Sequence, residues 1–339
     1  MRNTIKALCD FLEKRQDVVL CSVVAASGST PRGAGAKMMV LADGSATGTI
    51  GGGAVEHRAV ELATRVHQDK GSFVEQFDLS DSAKADLGMI CGGNTTVYFQ
   101  YFASDDPQAL AFARAAARKV DANEDAWLIT EIAEDGQGSM GIYADGGLAF
   151  GQGIALEDSG NWFGSGSLYI PGKIRHYIEP LSRKGRAYLF GGGHVSQALV
   201  PVIAKIGFVP VVYEDRERFC DLNLFPGAMA TIQGSFEEIA DKITLEASDY
   251  AIIMTRGHMA DYAVLEQVLR TPVTYIGLIG SRRKIAKTHE KLRAAGFGDR
   301  DIARIHNPIG LDIGAETPDE IAISIAGELI AYRAGKARA

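Results

Sequence analysis

Two triple-glycine stretches stand in front of helix-like segments, "TIGGGAVEH" at 49–57 and "LFGGGHVS" at 189–196. A glycine turn at a helix start presents backbone N–H groups and the positive end of the helix dipole, a combination suited to phosphate. The second stretch meets the further demands of a dinucleotide turn. The strand "YLF" precedes it, Gly191 and Gly193 give G-x-G, and Ser196 takes the third small position. Asp215 follows 24 residues after Gly191, where an acid reaches a ribose hydroxyl, with Glu214 as the alternative acid. His194 is expected to line the turn rather than to act as a base. The first stretch departs on two counts. Its third position is Glu56, a carboxylate suited to the N–H groups at the start of its own helix, and it follows a hairpin rather than a parallel strand. Gly52 and Gly53 therefore belong to a different pocket or a close backbone approach.

Other loops carry reactive or charged side chains. "GSTPRGAGAK" is a flexible loop with Arg32 and Lys37, and Arg can grip phosphate through two parallel hydrogen bonds. "GMICGGN" sets Cys91 in a glycine turn, where a thiolate could carry sulfur or bind a soft metal. In the second half "RGHMAD" holds Arg256, His258 and Asp261, and "GSRRK" holds Ser281, Arg282, Arg283 and Lys284. "HNPIGLDIGAET" adds His306, Asn307 and Asp312. These loops follow successive strands, and ligands of open parallel sheets sit at that edge. Basic residues at a helix start oppose the dipole unless an anion joins them, so 281–284 reads as an anion site. His258 and Asp261 lack a third ligand, so no metal site is assigned.

The elements that must position these residues are of two kinds. Up to about residue 183 the pattern is mixed α+β: an amphipathic first helix with Ile5, Leu8, Cys9 and Leu12 in register, a hairpin at Asp43-Gly44, and several strands. From Ala187 onward, short apolar strands alternate with helices, including a short helix at "FEEIADKI". Thr317-Pro318-Asp319-Glu320 starts the last helix with a capping box. Strands buried on both faces and alternating with helices imply a doubly wound parallel sheet. The expected organisation is α/β, with an α+β domain over 1–183 and a Rossmann-like domain over 184–339.

The 339 residues are 46% hydrophobic and 23% charged, in the range of folded globular chains, and 39 are glycine. A net charge of −7 argues against nucleic acid as a partner. Four scattered cysteines make no C-x-x-C and imply a reducing compartment. The charged N-terminal stretch does not read as a signal peptide, and no apolar run reaches membrane-spanning length, so a cytoplasmic protein without membrane partners is expected. A homodimer is expected from base rates alone.

Seven motifs in order, "GSTPRGAGAKM", "GTIGGGAVEH", "LGMICGG", "LFGGGHVSQAL", "TRGHMADYAVL", "YIGLIGSRRK" and "HNPIGLDIGAETPDEIAISIAGEL", resemble the XdhC/CoxI family, over nearly the whole chain. The resemblance implies an accessory factor for xanthine dehydrogenase and related molybdenum hydroxylases. Such factors bind molybdenum cofactor (molybdopterin), hold it while a cysteine desulfurase supplies sulfur, and assist its insertion into the apo-hydroxylase. It implies a maturation chaperone more than an enzyme, with Cys91 as candidate sulfur or molybdenum contact. The expected cofactor-binding set comprises Gly191, Gly193, His194, Ser196 and Asp215, then Arg32, Lys37, Gly52 and Gly53, then Arg256, His258, Ser281, Arg282 and Arg283. The fingerprint at Gly191 keeps open an NAD(P)-dependent oxidoreductase, or the nucleotide part of a dinucleotide form of the cofactor.

Overall fold

The computed structural model describes residues 1–79, 93–154, 156, 159–164 and 166–336. The chain forms two compact units, Met1–Arg183 and Lys184–Ala339. Among the described residues no helix is long and apolar enough to cross a membrane.

The first unit is built on two antiparallel five-stranded sheets. Strands β1 (Val18–Gly28), β2 (Lys37–Leu41), β3 (Ala46–Thr49), β4 (Phe73–Asp78) and β5 (Gly93–Phe102) lie in the order β3-β2-β1-β5-β4. The β2–β3 hairpin turns at Asp43-Gly44, where Gly44 has φ +81° and Asp43 accepts the Ser45 N–H, as the D-G signal predicts. Strands β6 (Ala126–Ile132), β7 (Gly138–Ala144), β8 (Gly147–Phe150), β9 (Leu168–Ile170) and β10 (Arg175–Ser182) form the second sheet, ordered β8-β7-β6-β10-β9. Strands β9 and β10 follow each other directly and pair antiparallel, His176 opposite Ile170 and Ile178 opposite Leu168.

Strand β1 is apolar on both faces because both are covered. Val18 and Leu20 pack with α1 (Arg2–Glu13), while Val19, Cys21 and Val23 pack on α2 (Gly53–Asp69). Helix α1 turns its expected stripe of Ile5, Leu8, Cys9 and Leu12 inward. It shares that core with α3 (Pro107–Ala122), which opens on an Asp106 N-cap accepting the Gln108 N–H, with Pro107 at the first helical position.

The second unit is a six-stranded parallel sheet: β11 (Ala187–Phe190), β12 (Pro210–Glu214), β13 (Ala230–Gln233), β14 (Tyr250–Ile253), β15 (Tyr275–Leu278) and β16 (Ile305–His306). Its order is β13-β12-β11-β14-β15-β16, which reverses direction between β11 and β14. Helices α4 (His194–Lys205), α5 (His258–Leu269), α6 (Arg282–Ala294), α7 (Asp299–Ile302) and α8 (Pro318–Arg333) surround it. Alternate residues of β11 divide between the faces, Ala187 and Leu189 toward α4 and α8, Tyr188 and Phe190 toward α5. Each layer thereby buries a separate apolar cluster, and the doubly wound reading holds. Helix α8 carries the expected capping box, with Glu320 accepting the Thr317 N–H and Thr317 Oγ1 accepting that of Glu320.

One expectation fails locally. The segment 236–243 forms only a single 3-10 turn at Ile239–Asp241. Gln267 of α5 accepts the Ile239 N–H at 2.9 Å and donates to the Phe236 carbonyl at 2.9 Å, so these backbone groups are satisfied by a side chain rather than by a helix of their own.

Candidate functional site

The turn between β11 and α4 lies at the reversal point of the sheet, where open α/β sheets hold ligands. Its first two glycines are fixed by internal contacts. Gly191 has φ +111°, and a Cβ there would stand 2.3 Å from the Met254 carbonyl oxygen. Only glycine allows β14 to run this close. The Gly191 N–H donates to the Tyr213 carbonyl at 2.8 Å, and Ser196 Oγ donates to the Gly191 carbonyl, so the third small position is a brace for the turn. The Gly192 N–H donates to Glu214 Oε2 at 2.7 Å, and Gln197 Nε2 donates to the Gly192 carbonyl at 3.0 Å.

Gly193 is different. It is the N-cap of α4, with ordinary φ (−71°), and a Cβ built on it meets no atom within 4 Å. Ser, Thr, Asp or Asn would cap the helix at this position, and none is present. The N–H groups of Gly193, His194 and Val195 have no acceptor among the described residues. Helix α5, after the neighbouring strand β14, starts the same way. Gly257 is its N-cap, has open space at its Cβ position, and is followed by His258. Two uncapped helix starts on adjacent parallel strands thus bring two sets of free N–H donors to one sheet edge, an arrangement that suits an anionic ligand.

The acids at the end of β12 divide the work. Glu214 is 1% exposed and faces inward. Besides Gly192, its carboxylate accepts Arg216 Nε and Nη2 at 2.8 Å each and the backbone N–H groups of Asp215 and Arg216. Burial favours the neutral acid, but the Arg216 guanidinium and the N–H donors outweigh it and hold the carboxyl down to about 2. Asp215 faces a cleft of about 650 Å³ lined by Gly234, Phe236, Arg256, Gly257 and Met259. Its Oδ2 lies 3.5 Å from Arg256 Nη2. Its Oδ1 is buried and has no hydrogen-bond donor, with Arg216 Nε standing off at 3.6 Å. The adjacent Glu214 carboxylate, followed by burial, pushes the Asp215 carboxyl up. An orphaned carboxylate oxygen beside a donor-rich glycine turn fits a ribose hydroxyl next to a phosphate. Sequence spacing placed both acids near the turn; only the structure separates the internal brace from the open acceptor.

Ser281 and Arg283 line, with His258, a separate cleft between α5 and α6. Ser281 is the N-cap of α6 and accepts the Lys284 N–H, and Arg282 is the first residue of that helix. Asp261 is not a metal partner of His258: Oδ1 accepts the Thr255 N–H and hydroxyl, and Oδ2 pairs with Lys284 Nζ at 2.6 Å. No group of three or more metal-ligating side chains occurs among the described residues.

The first unit treats its candidates differently. Glu56 Oε1 accepts the Ile50, Gly51 and Gly52 N–H groups at 2.9, 3.2 and 2.8 Å, together with the Thr49 hydroxyl. Gly51, Gly52 and Gly53 have φ of +147°, +76° and +60°, which curl the backbone around that oxygen. Burial raises the Glu56 carboxyl, but the Thr49 hydroxyl and the turn N–H groups bring it below the ordinary range. Arg32 is exposed on its loop. Lys37, read as a loop cation, is the first residue of β2 and is buried. Its Nζ stands 2.5 Å from Glu179 Oε1 of β10, an ion pair without hydrogen-bond alignment. Cys91 lies outside the described residues.

Comparison with known proteins finds a family match in each unit. The family model described as the XdhC Rossmann domain matches residues 187–329, and that of the XdhC and CoxI family matches residues 11–78. The chain belongs to the XdhC/CoxI family. A relative from Bacillus subtilis, named as a probable subunit of xanthine dehydrogenase, is 25% identical over 346 residues, covering 98% of each chain. The uncharacterized protein YqeB of Escherichia coli is 25% identical over 319 residues, which cover 94% of this chain but 44% of that protein. A crystal structure of a Bacillus halodurans protein, named a xanthine dehydrogenase, superposes with a TM-score of 0.81 at 23% identity, over 98% of this chain and 96% of that one. It shares the fold of this XdhC/CoxI family member.

Proposed function

We propose that this chain is an accessory factor for a xanthine dehydrogenase-type molybdenum hydroxylase. It binds molybdenum cofactor, supports its sulfuration in concert with a cysteine desulfurase, and delivers it to the apo-hydroxylase. The observation that supports the binding step is the helix start at Gly193–Val195, whose N–H groups lack acceptors among the described residues, beside Asp215 Oδ1, which has no donor among them. Family membership and the name of the Bacillus subtilis relative support the choice of client. When bound, the cofactor supplies the molybdenum centre that the hydroxylase requires. The work of this chain is to hold a phosphate on the N–H groups of α4, orient an adjoining hydroxyl on Asp215, and limit access of water. Gly193 leaves room for that approach, and Glu214 keeps the turn in place from behind. Cys91 is the proposed contact to sulfur or molybdenum, and domains of 1–183 and 184–339 share the task.

Purification of the full chain from a cofactor-producing host, with assay of bound molybdenum and pterin, tests this reading. Copurified or reconstituted cofactor is the expected result; a chain that carries none and takes up none on addition overturns it. The same glycine turn favours a second reading, an NAD(P)-dependent oxidoreductase. Fluorescence titration with NADH and NADPH separates the two, and absence of binding at millimolar nucleotide removes the second.

A further inference from the structure

We infer that the cleft between α5 and α6 is a second anion site, separate from the glycine turn, and that it takes a small phosphorylated molecule carrying at least two negative charges. The inference goes beyond the proposed function and does not depend on it. Lys284, Lys287, Thr288 and Lys291 recur at helical three- and four-residue spacing along one face of α6, and that face lines a cleft of about 600 Å³ together with Tyr262 and Arg283. Ile285 and Leu292 form the inward-packed side of α6, and beside them the exposed Arg283, Lys287 and Lys291 and the half-buried Lys284 concentrate four cations on one cleft.

Neutralisation within the cleft is incomplete. Lys284 pairs with Asp261, whose carboxylate is almost fully buried and also holds Thr255. Arg283, Lys287 and Lys291 have no carboxylate within 4.0 Å among the described residues, and the exposed Glu290 of the same helix pairs with none of them at that distance. Lys287 and Lys291 sit four residues apart on one helix, a mutually repulsive spacing, and Arg283 and Lys284 occupy the positive end of the α6 dipole. These placements oppose folding of α6, in a chain whose net charge is −7. A bound dianion reverses the sign of each of these interactions.

Phosphate, rather than an acidic protein segment, suits the shape and the donors. The volume is that of a small-molecule site. Ser281 Oγ accepts the Lys284 N–H and therefore has its own proton free to donate. Three cations without a carboxylate partner among the described residues, Lys291 resting over the Tyr262 ring, plus a hydroxyl proton match the several oxygens of a phosphate ester or diphosphate better than the two of a carboxylate.

Inorganic pyrophosphate is the probe, titrated calorimetrically into the full-length protein at two salt concentrations. Binding is expected to weaken with salt. The double substitution Lys287→Glu with Lys291→Glu is expected to weaken it by about ten- to a hundredfold, while Lys287→Arg with Lys291→Arg retains it. Gly193→Val, which fills the cradle at α4, should leave pyrophosphate binding to this cleft intact. Circular dichroism and the thermal transition check that the variants fold; if the double Glu variant does not, Lys287→Gln alone must still weaken binding. The assignment falls if the wild-type protein shows no binding at millimolar pyrophosphate, if the folded charge-reversal variant binds as tightly as the wild type, or if Gly193→Val abolishes binding.

Discussion

The two triple-glycine turns of this chain use an acid in opposite ways. At Gly51–Gly53 the acid comes from inside the helix that the turn begins, and Glu56 occupies the concave N–H cluster itself. At Gly191–Gly193 the acid comes from the neighbouring strand, and Glu214 takes only the Gly192 N–H from behind. The first turn is closed by its own chain, whereas the second is braced and left open at Gly193, His194 and Val195. Similar local sequence therefore gives one corner filled by its own acid and one helix start whose N–H groups have no acceptor among the described residues. The difference lies in where the carboxylate is anchored.

The strongest test removes the brace. Glu214→Ala leaves the Gly192 N–H and the Arg216 guanidinium without their acceptor, and should lower stability by about 3–5 kcal/mol, read from urea unfolding of the full chain. Asp215→Ala should change stability far less and act mainly on ligand affinity. The pH dependence has a definite sign. The folded Glu214 carboxyl titrates near about 2, below its ordinary 4.5, so its stabilisation is complete above pH 4.5 and is lost as pH falls toward 2. The wild-type and Glu214→Ala stabilities should converge over that window; a gap that persists unchanged at its acid end would exclude the brace.

A second comparison sets two glycines of one turn against each other. Gly191→Ala forces a Cβ to within 2.3 Å of the Met254 carbonyl oxygen at φ +111°, with an expected cost of about 2–4 kcal/mol. Gly193→Val meets open space and should shift stability by no more than about 1 kcal/mol, yet weaken nucleotide or cofactor binding. Equal thermal transitions for the two variants would remove the distinction between the structural and the ligand-facing glycine.

Among the substitutions expected to destabilise the fold, the mildest is at the closed turn. Glu56→Ala removes the acceptor of four donors on a partly exposed group and should cost about 1.5–3 kcal/mol, seen as a lower thermal transition of the first unit. Added sulfate should raise the first-unit transition of the variant more than that of the wild type, by filling the vacated N–H cluster. The contribution of Glu56 is present above its ordinary carboxyl range and declines as pH falls below it, because its folded carboxyl is depressed.

How much of this was legible in sequence depended on the range of each interaction. The parallel sheet, the hairpin at Asp43-Gly44 and the capping box at Thr317 follow from periodicity or from residues within four positions of each other, and were readable. Glu56 was expected on the N–H groups at the start of its own helix; it turns back locally, but onto those of Ile50, Gly51 and Gly52 just before that helix. The roles of Glu214 and Asp215 were not separable, since both carboxylates lie beside Arg216 Nε, at 2.8 and 3.6 Å, and sequence does not say which of two adjacent acids takes the turn N–H and the guanidinium. The 236–243 segment was misread as a helix because its hydrogen-bond partner, Gln267, lies in another element. The cationic face of α6 was visible only at its start; Lys287 and Lys291 gain meaning once Tyr262 and Asp261 of α5 are seen opposite. Lys37 looked like a loop cation because Glu179, its partner, is 142 residues away.

That last pair has a consequence for how the first unit comes apart. Lys37 belongs to one five-stranded sheet and Glu179 to the other, and both side chains are almost fully withdrawn from water. Parting the sheets would return both charges to water, but it would also expose the apolar core that the two sheets share, Leu20 and Met39 of one against Leu128 and Ile142 of the other. The pair fixes how one sheet meets the other, and the shared core favours all-or-none melting of the unit over a stepwise loss of one sheet at a time.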